Sequence, residues 1–216
     1  MSVNAKSVQK SRDIRSAIIR RIVVSAILTA MAVVLMFLEV PLTALFIPSF
    51  LKFDFSEIPV LVGAFALGPL YGVLIEFLKN LIHLPATGTS GVGELSNFLV
   101  GSMFVFTAGS IYKKMRTRKG ALIALILGTL LFTLAAIPLN WFLNLPLYEK
   151  VCNLPTGVII EWSNAVNPLI KDKLTLIIWA FIPFNLFKGI VVSAITFAIY
   201  KPISNLINRT YKKTRT

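Results

Sequence analysis

The chain has a single cysteine, Cys152, and a single histidine, His83, in 216 residues. One cysteine rules out an internal disulfide framework, and no CxxC or Cys/His cluster offers a metal-binding spacing. With no histidine nearby in sequence, Cys152 reads as a small apolar residue rather than a nucleophile. Acidic residues are also scarce: nine Asp and Glu stand against twenty-two Lys and Arg. The patterns GxxxxGKS/T, HExxH and GxSxG are absent, which removes the sequence grounds for a nucleotide-binding loop, a zinc protease or a serine hydrolase.

Charge of either sign is thin. Charged residues make up 14% of the chain, against about 25% in a soluble domain. Hydrophobic residues make up 56%, and the mean hydropathy is +0.79. This composition is that of an integral membrane protein. A net charge of +13 could suggest nucleic acid, but the charge is segregated. Sixteen of the twenty-two basic residues fall in three clusters, accompanied there only by Asp13. These are Lys6 to Arg21, the run Lys113 to Lys119, and the tail from Lys201 to Arg215. Segregation of this kind is what the positive-inside rule produces, so the clusters are expected in the cytoplasm and no nucleic-acid partner is implied.

By hydropathy the chain predicts an all-α integral membrane protein with six transmembrane helices, each crossing needing about 20 apolar residues. The expected spans are 20–39, 58–68, 70–84, 95–112, 120–145 and 174–200. They form one membrane domain over 20–200, between a basic N-terminus at 1–19 and a basic tail at 201–216. The first apolar stretch is long enough to span and ends in no convincing cleavage site, so it reads as a retained helix. The second and third spans are short and separated by Gly68-Pro69, which leaves one broken hairpin as the alternative to two full crossings. Four spans then separate the first two basic clusters and two separate the last pair. The topology closes with both termini cytoplasmic. FLKFDFSEIP (50–59), PATGTSGVGE (85–94) and the link 146–173 lie on the outer face.

Polar residues among these apolar runs are the candidates for function. Lys52, Asp54 and Ser56 share one parity, and Leu51, Phe53 and Phe55 the other. In an extended segment this predicts a polar and an apolar side. Lys188 lies well inside the sixth span, with Asn185 one turn earlier on the same face and Pro183 just upstream. Asn185 and Lys188 form a polar binding face, or Lys188 pairs with a structural carboxylate such as Glu76 or Glu94. Glu76 has Lys79 within helical reach. His83 reads as a hydrogen-bonded interfacial residue. Glu94, Ser96 and Asn97 open the fourth helix after a glycine-rich loop, and Asn140 stands beside Trp141 near the outer end of the fifth. Ala26 and Ala30, with Ser25, Thr29 and Ala32 nearby, would let another helix approach closely, either within the chain or from another subunit.

These residues together resemble the substrate-binding S components of energy-coupling factor vitamin transporters, specifically the riboflavin-specific type. The resemblance rests on AILTA in the first helix, FLKFDFSEIPVLVGAFALGPLYG, EFLKNLIH followed by TGTSGVGELSNFLVG, and PFNLFKG in the last helix. It implies riboflavin held near the outer face, under a lid that includes Lys52, Phe53 and Asp54. Asn185, Lys188 and Asn140 would be polar contacts, with Glu94, Ser96 and Asn97 beside them. Ala26 and Ala30 would face a transmembrane coupling subunit, which engages two cytoplasmic ATPases in a bacterial plasma membrane. The resemblance implies no enzyme activity and no cofactor, riboflavin being the cargo. The alternatives are an S component for another vitamin such as thiamine, or a proton-coupled secondary carrier using Lys188 with Glu76 or Glu94.

Overall fold

A computed structural model describes residues 2–213. The chain is nearly all helix. The first helix, α1 (Ser2–Phe37), begins well before the expected boundary at residue 20. A short lid follows, in which β1 (Val40–Pro41) pairs antiparallel with β2 (Lys52–Phe53). The helices α2 (Glu57–Leu67) and α3 (Pro69–His83) come next, then α4 (Val92–Met115) and α5 (Arg118–Leu139). A π-turn at Asn140–Asn144 carries α5 on into α6 (Leu145–Val151). After α7 (Thr156–Val166), α8 (Lys173–Leu176) runs through a second π-turn at Ile177–Phe181 into α9 (Ile182–Lys213).

Among the described residues, four helical segments are long and apolar enough to cross a membrane: Ile14–Phe37, Val92–Met115, Arg118–Val151 and Lys173–Ile203. Between the first two, α2 and α3 fold back on each other as a hairpin of short helices, the arrangement held open by the Gly68-Pro69 break. Gly68 takes a φ of +114°, a conformation that glycine adopts without a Cβ penalty. Pro69 then starts α3 where its missing N–H is not needed. The link 146–173, expected as an outer loop, contains α6 and α7 instead. Ile159 and Ser163, four residues apart, bury one face of α7, a period too short-lived to register against the long spans.

The main core joins Leu28 and Ala32 of α1, Val60 and Leu61 of α2, Ile75 of α3, Phe104 and Val105 of α4, Leu125 of α5 and Val192 of α9. A second core, around Leu145, Ile159, Leu176 and Phe181, closes the other end of the bundle. The outward face of α1 remains apolar and uncovered, with Ile18, Ile19, Ile22, Val23 and Ile27 all exposed. Such a face is stable in hydrocarbon rather than in water.

Aromatic contacts fix which helix ends lie together. Phe65 stacks on Tyr112 at 4.3 Å, and Tyr112 meets Tyr200 at 5.5 Å. The Arg21 guanidinium lies 5.7 Å from the Tyr71 ring. The described helix ends that border the three basic clusters therefore lie at one end of the bundle, and the lid closes the opposite end.

Candidate functional site

The lid's local chemistry departs from simple alternation. Lys52 is exposed and Phe53 buried, as the parity pattern predicts. Beyond them the pattern inverts: Asp54 and Ser56 are buried and Phe55 is exposed. Polar partners inside the bundle are the cause. Lys188 Nζ donates to Asp54 Oδ2 at 2.8 Å, and the Ser56 N–H donates to Asp54 Oδ1 at 2.7 Å. Lys79 Nζ donates to Ser56 Oγ at 2.8 Å. Lys188 thus has a carboxylate partner, and it is Asp54 rather than Glu76 or Glu94. Burial alone would push the Asp54 carboxyl up. The Lys188 ammonium, with Lys79 behind it, outweighs burial and holds this lid carboxyl well below the usual carboxylate range.

Under the lid lies a cavity of about 340 Å³, within the size range of small-molecule sites. Its walls come from the lid, α1, the α3–α4 loop, α4, α5, the first π-turn and α9. Met36, Val100, Phe132, Ala136, Phe181 and Phe184 provide apolar surface. Of the residues expected in the site, Lys52, Asp54, Glu94, Ser96, Asn97, Asn140, Asn185 and Lys188 all line it. Phe53 does not. It packs into a separate apolar cluster with Ile47 and Phe184 and lies 5.7 Å from the Phe187 ring, so it anchors the lid instead of facing the cavity. Ala26 and Ala30 are exposed on α1, away from the cavity.

The polar groups sit at distinct parts of the wall. Asn185 Nδ2 donates to Phe181 O at 2.8 Å, and Asn140 Nδ2 donates to Ala136 O at 2.7 Å. An amide has two donors and an acceptor oxygen, so Asn185, oriented by this one bond, keeps a donor and its oxygen for a guest, and Asn140 keeps a donor. Asn144 Nδ2 donates to Asn140 Oδ1 at 3.0 Å and to Ser96 Oγ at 2.7 Å, joining the π-turn to α4. Elsewhere in the wall, Glu94 Oε1 meets His83 Nδ1 at 2.9 Å, and Thr87 Oγ1 donates to Glu94 Oε2 at 2.7 Å. At the mouth, Lys52 pairs with Glu39.

Sequence reasoning missed Asn144, Tyr148 and Thr89 as lining residues and read His83 as merely interfacial. Asn144 was within reach, because it follows Asn140 by four residues. The others come to the cavity only through the loop after α3 and the continuation of α5 into α6. The arrangement suits a largely apolar guest with hydrogen-bonding groups at its edges. Buried amides, hydroxyls and one ion pair would fix its orientation.

Comparison with known proteins gives concordant results. Residues 20–200 match the family described as ECF transporter, substrate-specific component. Riboflavin transporter RibU of Staphylococcus aureus (strain TCH60) is 34% identical over 190 residues, covering 88% of this chain and 93% of that protein. Riboflavin transporter FmnP of Bacillus subtilis (strain 168) is 30% identical over 187 residues, covering 84% of this chain and 90% of that protein. A solved S component of a bacterial ECF transporter is similar with a TM-score of 0.68 at 32% identity, over 87% of this chain and 96% of that one.

Proposed function

Since the chain belongs to the substrate-specific components of ECF transporters, we propose that its lidded cavity is the place where it captures riboflavin for import. The observation that carries this is the cavity itself, apolar along its walls and ringed by Asn140, Asn144, Ser96, Asn185 and Lys188. The isoalloxazine ring has a flat apolar face and polar edges, and the ribityl chain carries only hydroxyls. A wrong vitamin would leave some of these buried groups without partners, which is a strong source of selectivity. The protein purified in detergent from riboflavin-containing cells is expected to carry a flavin absorption spectrum. A colourless preparation that does not quench added riboflavin fluorescence would reject the assignment.

Asn185→Ala and Asn140→Ala are each expected to weaken riboflavin binding by about 1–3 kcal/mol, the typical effect of losing a buried hydrogen-bond partner. Titration of flavin fluorescence measures this directly, and unchanged affinity in both variants would remove the two amides from the site.

In this reading the end of the bundle that borders the basic clusters lies in the cytoplasm, with six crossings, both termini inside and the lid outside. Energy comes from separate partners, a transmembrane coupling subunit and two cytoplasmic ATPases. The uncovered face of α1 supports a contact with the coupling subunit, because Ala26 and Ala30 are both exposed there among larger apolar side chains. Small residues permit close helix approach in a membrane. Ala26→Trp with Ala30→Trp should leave riboflavin affinity intact and abolish co-purification of the coupling subunit. Normal assembly of that variant would move the contact elsewhere.

A further inference from the structure

Next to the Asp54–Lys188 pair lies a second group of charges that reaches no surface. Glu57 at the start of α2, with Glu76 and Lys79 on α3, are each 0% exposed. Lys79 Nζ lies 2.6 Å from Glu57 Oε1 and 2.8 Å from Glu76 Oε2. Lys79 Nζ also donates to Ser56 Oγ at 2.8 Å. Asn80 Nδ2 donates to Glu76 Oε1 at 2.9 Å. Glu57 Oε2 and Glu76 Oε2 are both buried with no hydrogen-bond partner, Glu76 Oε2 having only its ion-pair contact with Lys79. Gly101 of α4 closes the group from the far side. A Cβ there would lie 2.5 Å from Glu76 Oε1 and 3.2 Å from Glu57 Oε1, so only a glycine lets both carboxylates crowd this point.

The charges do not balance. One ammonium faces two carboxylates, and among the described residues no second cation pairs with either of them. Lys188 of α9 is matched by Asp54 of the lid, and Glu94 of α4 faces His83 of α3. Among the described residues of α1, which packs on α2 and α3, the buried polar side chains are the hydroxyls of Ser25 and Thr29. An uncompensated carboxylate in such a place is far less stable than its protonated form. A carboxylate also wants several donors, and Glu57 Oε2 has none.

We propose that Glu57 and Glu76 together bind one proton, making this cluster a neutral proton-binding site at the root of the lid. One carboxylate is ionised and paired with Lys79, and the other is a carboxylic acid. Ser56 and Glu57 lie two and three residues after Asp54 in the chain, so the proton neutralises the ground on which the Asp54–Lys188 contact is anchored. Neither glutamate lines the cavity, so the site is separate from the riboflavin contacts and does not depend on the identity of the guest.

Infrared spectroscopy of the purified chain in detergent at neutral pH tests this through the carbonyl stretch of a protonated carboxyl group. The native protein should show such a band, shifting in deuterium oxide. Glu57→Gln and Glu76→Gln should each lack it, because the amide replaces the neutral member and leaves a balanced Glu–Lys pair. Each single variant should also melt close to the native protein, whereas the double variant, which strands Lys79, melts far lower. The proposal is overturned if the native protein lacks the band, if both single variants retain it, or if both melt as low as the double. Should one single variant not fold, the native band and its loss in the other decide the matter.

Discussion

Lys188→Met is expected to reduce riboflavin affinity by about 2–5 kcal/mol, the range for truncating one partner of a buried, hydrogen-bonded charge pair. That corresponds to roughly 30-fold to several-thousand-fold. Two losses combine here. The cavity loses an ammonium, and Asp54 is left buried without the cation 2.8 Å from its Oδ2. The second loss can be separated from the first. Asp54→Asn with Lys188→Met removes both charges, so the lid should dock again and the melting temperature recover. Riboflavin affinity should stay low, because the contact from α9 is still missing. Flavin fluorescence titration and thermal melts on the native protein and these two variants resolve the two contributions. Full recovery of affinity in the double variant would reduce Lys188 to a latch with no direct role in binding.

Lys79→Met is expected to have its main effect on stability. Removing one partner from a buried ionic group costs about 3–5 kcal/mol, and for a chain of this length that lowers Tm by roughly 6–20 °C. The mechanism is that Glu57 and Glu76, both fully buried, lose their shared cation. A triple variant, Glu57→Gln with Glu76→Gln and Lys79→Met, leaves no charge in this cluster and should regain much of the lost Tm. Differential scanning measurements in one detergent suffice, and a native-like melt for Lys79→Met alone would show that the cluster contributes little to holding α2 against α3.

The helices that span are legible from composition because length and hydropathy are summed over many residues. Asn185 and Lys188 are legible because a three-residue spacing puts both on one face of a helix. The partner of Lys188 is not. Asp54 lies 134 positions away in the chain, and sequence offered Glu76 and Glu94 with equal plausibility. The parity of 51–56 misled for the same reason, since distant lysines draw Asp54 and Ser56 inward and leave Phe55 outside. The family resemblance puts Phe53 in the lid with Lys52 and Asp54, and the apolar pocket that it fills is made by Ile47 and Phe184, the latter distant in sequence. The hairpin of α2 and α3 was half visible. Gly68-Pro69 marked the break, but only packing shows that two short helices fold back there.

The π-turn at Asn140–Asn144 has a further consequence, for how this chain can vary in length. A π-turn holds one residue more than an α-helix of the same rise, absorbed locally with the flanking turns kept in phase. Loss of one residue within 140–144 would leave Leu145–Val151 facing as before. The same loss anywhere else in Arg118–Val151 would rotate the rest of the helix by about 100°, the angle per residue of a 3.6-residue turn. The one stretch of this helix that can shorten without turning its neighbours is thus the stretch that presents Asn140 and Asn144. Insertions and deletions there would reshape the cavity while sparing the bundle.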